Sequence, residues 1–357
     1  MSQKSHSLFV NDGYRFKPMR KAAVPILMFL VAITFAVFRR EVLGDIWLRL
    51  NEVPRVGLLP LALAGMGMVF ARGMFLAVCS PGVSVRQAMM ADQSALAAGY
   101  GIIIGGGVVG TGMRIHMFNS WGIGHPTIAS SIIATAVMPS FTTWGLPSVL
   151  LIGPVVRGTA TFEEQLAVVV GVPLIIVSLV FWWLALRTPY VFTAVARVTA
   201  RCRMFLLGKD SLRFKRLRRI VERAEPVSFS IEMRKNLVQL LRDRWKVIFA
   251  ASFGTLAAGF LCLWTSSVVF QVEGLTISEA LVVFSLVRVV IALSPIPGGV
   301  GLAEVGLIVL LEGAGVSAVD AAGTTLLYRF LTWFAPTIVG SITWWRYNHT
   351  YLRAPDN

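Results

Sequence analysis

Pro295-Ile296-Pro297-Gly298-Gly299-Val300-Gly301 breaks an apolar run, and a second break of the same kind stands at Gly105-Gly106-Gly107-Val108-Val109-Gly110. The same landmarks follow each break in the same order. The first copy continues through Gly122-Ile123-Gly124 to Thr143-Trp144-Gly145-Leu146-Pro147, the second through Gly313-Ala314-Gly315 to Thr332-Trp333-Phe334-Ala335-Pro336. Matched landmarks at an offset of about 190 residues mark an internal duplication, and duplicated units built on broken helices belong mostly to transporters.

Composition fixes the solvent. At 56% apolar and 14% charged residues, with mean hydropathy +0.72, the chain is too apolar and too poor in charge for a soluble domain of its length. It reads as an all-α, polytopic integral membrane protein made of inverted repeats, each with a broken or re-entrant helix pair. Cys79, Cys202 and Cys262 are too scattered for a disulfide framework or a zinc spacing and read as packing residues. The polar tail 1–21 and the apolar run ending at Arg39-Arg40 carry no small-residue cleavage site, so a retained first span is expected.

A helix crossing about 30 Å of hydrocarbon needs about 20 apolar residues. That length places spans near 22–38, 57–79, 127–152, 163–186, 247–270 and 320–345, with the stretches 84–121 and 278–314 read as pairs of short helices around the breaks. Val42, Leu43, Ile46, Trp47, Leu50 and Val53 share one helical face, which predicts a helix lying on the membrane surface.

Charge sets the topology. Segment 187–246 is strongly basic, with five acids (Asp210, Glu222, Glu225, Glu232, Asp243) among nearly half of the 33 Lys and Arg, and is expected to be cytoplasmic. Its cluster Arg213, Lys215, Arg216, Arg218 and Arg219 admits nucleic acid. Amphipathic helices resting on anionic lipid (Leu217, Ile220, Val221; Ile231, Leu237, Val238, Leu241, Trp245) account for it better, and no nucleic-acid partner is expected. The acidic loops 153–164 and 271–279 are expected outside, which requires each broken unit to enter and leave on one side. The organisation is then a tail at 1–21, repeat A at 22–186, the basic segment at 187–246, repeat B at 247–346 and a tail at 347–357. Equivalent elements run in opposite directions about a pseudo-two-fold axis in the membrane plane.

Gly105 to Gly110 also fits the dinucleotide pattern G-x-G-x-x-G. No Asp or Glu occurs between Gln93 and Phe162 to hold a ribose, and no Walker lysine follows, so no cofactor is expected. Tight backbone approach at a break explains the glycines, with helix packing as the alternative.

Arg72, Arg114, Arg288 and Arg329 lie at membrane depth with Glu304, and with Asp92, Glu312 and Asp320 nearer the ends. Each buried arginine costs about 2.5–3.5 kcal/mol on insertion scales. Structural pairing or an electropositive cavity for an anion are the two solutions, and for Arg72 and Arg288 both stay open. Arg114 and Arg329 follow the breaks, and a guanidinium fork fits a phosphate, so these two are expected to bind. Helix amino termini would add donors. His116 and His125 read as interface or packing residues.

Pro295-x-Pro297-Gly298-Gly299-x-Gly301-x-x-Glu304, followed by Tyr328-Arg329 and Gly340, resembles the carboxy-terminal signature of the lysylphosphatidylglycerol synthase membrane-region family. Gly106-Gly107-x-x-Gly110-x-x-x-Arg114 is similar to that family's Pro-Gly-x-x-Gly-Glu-x-x-Arg element, with Gly106 where proline is usual and Thr111 where glutamate is usual. The family includes the flippase half of the multiple-peptide-resistance factors. The resemblance implies a lipid-handling protein of the inner membrane whose substrate is a polyprenyl-phosphate, phospholipid or aminoacyl-lipid. The expected function is movement of a phosphate-bearing lipid between leaflets without enzymatic chemistry. Arg114, Arg329, Glu304, Arg288, Arg72 and Tyr328 are the expected binding set. Gly106, Gly107, Gly110, Pro295, Pro297, Gly298, Gly299 and Gly301 are the expected hinge. A membrane-embedded lipid-modifying transferase, and a non-catalytic partner of a separate lipid synthase or glycosyltransferase, are the alternatives.

Overall fold

The computed structural model describes residues 57–102, 105–158, 162–188, 190–194, 226–294 and 297–351. The tail 1–21, residues 352–357, the span at 22–38, the surface helix at 42–53, the basic cluster 213–219, the face formed by Leu217, Ile220 and Val221, Cys202 and Pro295 lie outside these residues, while the first five residues of the tail drawn at 347–357 belong to the last helix. Ten helices are described: α1 Leu58–Cys79, α2 Val85–Gly101, α3 Gly106–Ser120, α4 His125–Val156, α5 Phe162–Arg187, α6 Pro226–Val269, α7 Ile277–Leu293, α8 Leu302–Gly313, α9 Ala318–Arg329 and α10 Ala335–Tyr351. Of these, α1, α4 and α6 are long and apolar enough to cross a membrane.

The two copies are built with the same local chemistry. Ser84 caps α2 in a reciprocal box with Gln87, and Thr276 caps α7 in the same way with Glu279. At the far end of each broken pair the chain reverses through one pattern of bonds. Ile123 N–H donates to Phe118 O and Gly122 N–H to Asn119 O; Val316 N–H donates to Leu311 O and Gly315 N–H to Glu312 O. Gly122 (φ 78°) and Gly315 (φ 86°) sit at matching left-handed positions of these helix ends.

At 1.5 Å per residue, α3 and α8 span about 22 and 18 Å, too short to cross the hydrocarbon alone. Each instead folds back on the helix before it. A Cβ at Gly106 would clash with the Gly99 carbonyl and one at Gly110 with the Ala95 carbonyl, while Gly306 faces Val290 and Gly299 faces Ile291. Residue numbers rise on one arm as they fall on the other, so α2–α3 and α7–α8 are antiparallel hairpins. Both arms of each broken unit therefore start and finish at one end, as the re-entrant and the two-span alternatives both require.

Helix pairing follows an approximate two-fold exchange. α2 packs on α10 and its counterpart α7 packs on α4, while α1 and its counterpart α6 pack on each other. Leu61 and Ala64, near the start of α1, share a core cluster with Leu256, Cys262 and Leu263 of α6. Phe75 and Cys79, at its end, share another with Leu237, Leu240 and Ile248. Counterpart helices α1 and α6 therefore run antiparallel, as inverted repeats require. With Leu76 in the third cluster beside Met117, Phe118 and Tyr347, α1 is the post on which all three cores meet. On the outer surface, α5 exposes Val169, Ile176, Val177, Phe181 and Trp183, and α6 exposes Phe249 and Phe253. An apolar exterior on this scale suits lipid contact.

Two expectations change. The boundary drawn between 246 and 247 falls inside α6, which runs unbroken from Pro226 to Val269. Of the apolar face expected on the 226–246 portion, Leu237 is buried and Leu241 packed against the Phe75, Ala185 and Phe192 cluster, while Ile231 and Trp245 stay exposed. Helical periodicity could not distinguish a protein partner from a lipid one. The span expected at 320–345 is divided by a π turn at Phe330–Phe334, where Ala335 N–H reaches Phe330 O. Pro336 has no N–H and its ring crowds the carbonyl four residues back, and the widened turn accommodates both.

Candidate functional site

Arg72 on α1, Asp92 on α2 and Arg114 on α3 form one cluster around the buried Asp92 carboxylate. Arg72 Nε donates to Asp92 Oδ2 at 2.9 Å and Nη2 to Oδ1 at 3.3 Å. Arg114 Nη2 donates to the same Oδ1 at 3.2 Å, and Nη1 to Thr135 Oγ1 at 3.3 Å. The Asp92 side chain is 5% exposed. Arg114 Nε is buried without a partner. One carboxylate therefore serves two guanidiniums, and the cluster keeps one unit of positive charge. Close approach at Gly106 and Gly110 is what brings Arg114 within reach of Asp92 on the neighbouring arm.

The second hairpin is arranged differently. Its break turns through Gly298 (φ 71°), Gly299 (φ 66°) and Gly301 (φ 85°), conformations that cost an L-residue about 1–2 kcal/mol each. Beyond it, Glu304 in the first turn of α8 accepts from Gly301 N–H at 2.6 Å and from Arg329 Nε at 2.7 Å. Arg329 Nη2 donates to Gly298 O at 3.0 Å and its guanidinium lies 5.9 Å from the Trp333 ring centroid. A carboxylate at a helix amino terminus, clamped by an arginine, is a filled anion site. Aligning the hairpins on their matching helix ends, Gly122 with Gly315, sets Thr111 against Glu304. Thr111 brings no charge, and its hydroxyl turns back to Gly107 O at 2.8 Å.

The breaks meet. Gly298 lies against Tyr100 and Trp333, whose rings are 6.4 Å apart. A cavity of about 280 Å³ opens there, lined by Gly99, Tyr100, Gly107, Thr111 and Arg114 of the first hairpin and by Gly298 of the second. The lining carries a guanidinium and no carboxylate. Trp333 Nε1, beside Gly298, is a further buried donor without a partner.

The remaining expected residues are placed as follows. Gly107 faces the cavity with nothing within 4 Å of a would-be Cβ. Pro297 opens the turn Pro297–Gly299. Tyr328 is 5% exposed in the core shared by α1, α6 and α7, within electrostatic reach of Arg288 and Arg329 but not on the cavity wall. Arg288 binds Thr143 and Thr142 and meets no carboxylate among the described residues. His116 stacks edge-on against Trp344 and Tyr347, His125 begins α4, and Asp320 is engaged with the cap Ser317. Asp92, the carboxylate that organises the first cluster, was outside the expected binding set. Its position one helical hairpin arm before Arg114 is the signal that could have found it.

Among curated proteins none matches the chain. The family model described as Lysylphosphatidylglycerol synthase TM region matches residues 22–340, a span that takes in both hairpins and every arginine of the site. A match of that extent makes the chain a member of the lysylphosphatidylglycerol synthase TM-region family, with a function tied to membrane lipid.

Proposed function

We propose that the protein moves a phosphate-bearing lipid between the leaflets of the inner membrane. The observation that carries this reading is a charge imbalance: Arg72, Arg114, Arg288 and Arg329 share only Asp92 and Glu304 among the described residues. Two uncompensated guanidiniums would cost roughly 5–7 kcal/mol on insertion scales. An anion that visits them offsets that cost. Arg114, with its unpartnered Nε, opens onto the cavity between the breaks and receives the headgroup phosphate. The amino terminus of α3 adds positive dipole at the same place. Arg329 and Glu304 hold the second break as a neutral unit, and the glycine turns let one hairpin move against the other.

No covalent step is assigned to the chain in this reading. Drive would come from an ion gradient, the membrane potential or mass action. The test is leaflet exchange of a fluorescent phospholipid in liposomes holding the full chain. Arg114→Gln is expected to slow exchange at least tenfold, the scale of one lost charge-assisted hydrogen bond. Exchange by Arg114→Gln at the parent rate would remove Arg114 from the path, and a parent no faster than empty liposomes would sink the proposal. A new lipid product formed from labelled donors would favour the transferase.

A further inference from the structure

Arg288 stands apart from the cavity, midway along α7, with its own set of partners on α4. Its Nη2 donates to Thr143 Oγ1 at 2.9 Å and, at longer range, to Thr142 Oγ1 at 3.4 Å. Its guanidinium carbon lies 5.6 Å from the Phe284 ring centroid. Its Nε is buried with no acceptor. Hydroxyls and a ring face position a guanidinium but leave its charge uncancelled.

The hydroxyls are not equivalent. Thr142 spends its hydrogen on Pro139 O at 2.9 Å. Thr143 accepts from Arg288 and keeps its own O–H to give. Arg288 Nε–H and Thr143 O–H therefore make two donors beside a full positive charge, a set suited to the oxygens of a phosphate. Position in the fold adds to this. The α7–α4 packing is the two-fold counterpart of the α2–α10 packing beside the cavity. Arg72 lies within electrostatic reach of both Arg288 and Arg114, so positive charge continues from one hairpin to the other past the central post.

We propose that Arg288 and Thr143 form a second phosphate-binding station, separate from the cavity at Arg114, which holds the headgroup on the other hairpin during transfer. The proposal rests on the reading of Arg114 given above. Two stations of one sign let a headgroup step across the protein interior without entering hydrocarbon as a bare charge.

Native mass spectrometry of the detergent-purified full chain, titrated with dioleoylphosphatidic acid and with phosphate-free dioleoylglycerol as control, tests it. The parent is expected to take up two phosphatidic acid molecules in saturable steps, and Arg288→Gln and Arg114→Gln one each, with the lost step weakened at least tenfold. Arg288→Gln that keeps both steps overturns the second station, as does a parent with one step or equal uptake of dioleoylglycerol. If Arg288→Gln loses a step while Arg114→Gln keeps both, the station stands and the cavity reading fails; the reverse pattern does the opposite. Should Arg288→Gln not fold, Thr143→Val decides, because parent-like uptake by that variant also overturns the proposal. Inorganic phosphate distinguishes the source of the anion. If it displaces the lipid from the Arg288-dependent step, the station takes phosphate of either origin. If it does not, the station takes phosphate only on a lipid.

Discussion

Replacing Asp92 by Asn changes the charge of the first cluster without changing its shape. In the parent, Asp92 is hydrogen-bonded to Arg72 at 2.9 and 3.3 Å and to Arg114 at 3.2 Å. Removing one partner of a buried pair costs about 3–5 kcal/mol because the other charge is left stranded. The Arg72 side chain keeps 30% of its exposure, so solvent screens part of the loss and the lower figure, about 3 kcal/mol, applies. At about 2 °C per kcal/mol for a chain of this size, Asp92→Asn is expected to melt about 6 °C below the parent in lipid-free detergent. The cluster now carries two units of positive charge instead of one, so an anionic headgroup binds the variant more tightly. A ligand at a hundredfold excess over its Kd returns about 2.7 kcal/mol, and a tighter Kd at the same concentration returns more. Phosphatidic acid should therefore raise the melting temperature of the variant further than that of the parent, in a fluorescence-detected thermal ramp. An unchanged melting temperature would show that Asp92 does not neutralise the arginines. An equal rise in both proteins would show that the excess charge is not where lipid binds.

The Arg329–Glu304 pair yields a prediction of opposite form. Glu304→Gln and Arg329→Gln should each destabilise by about 1.5–3 kcal/mol, whereas the double variant, which strands no charge, should melt above either single variant; additive losses in thermal unfolding would refute the pairing. Two glycines separate packing from function. Gly340→Ala pushes a methyl into the Gln93 carbonyl and to 2.7 Å from Ala97 Cβ, and should cost about 1–3 kcal/mol of stability in the same assay. Gly107→Ala meets nothing within 4 Å and should leave stability unchanged while narrowing the cavity, so that lipid exchange falls at constant melting temperature.

Much of the fold was legible because membrane helices follow simple rules of length and hydropathy. Spans expected at 57–79, 127–152 and 163–186 agree with α1, α4 and α5 to within a few residues. Glycine runs betrayed both breaks, with proline at the second alone, and the repeated landmarks showed their relation. The continuous α6 was hidden because its amino-terminal half is basic, and charge marks a water-exposed stretch without saying whether the helix stops there. The π turn was hidden because Pro336 announces a disturbed ladder but not the form of the adjustment. For the site, the type of residue was readable and the pairing was not. An arginine at depth must find a partner, yet which of Asp92, Glu304, Glu312 and Asp320 it finds depends on how the hairpins cross.

The difference between the two hairpins follows from one position in each. Alignment on the matched helix ends sets Glu304 opposite Thr111. In the second hairpin the carboxylate answers both the helix amino terminus and Arg329, so that break is electrically complete. In the first, Thr111 serves only the backbone of its own helix, and the nearest negative charge, Asp92, is already divided between two arginines. Equal scaffolds thus present unequal fields to the cavity between them. Fields from groups at fixed positions in a low-dielectric interior fall off slowly, so an anion in that cavity is drawn toward Arg114. In the proposed mechanism the second break, balanced in itself, can then shift while Arg114 holds the headgroup, and Arg288 on α7 of the same hairpin supplies the positive charge that takes it over.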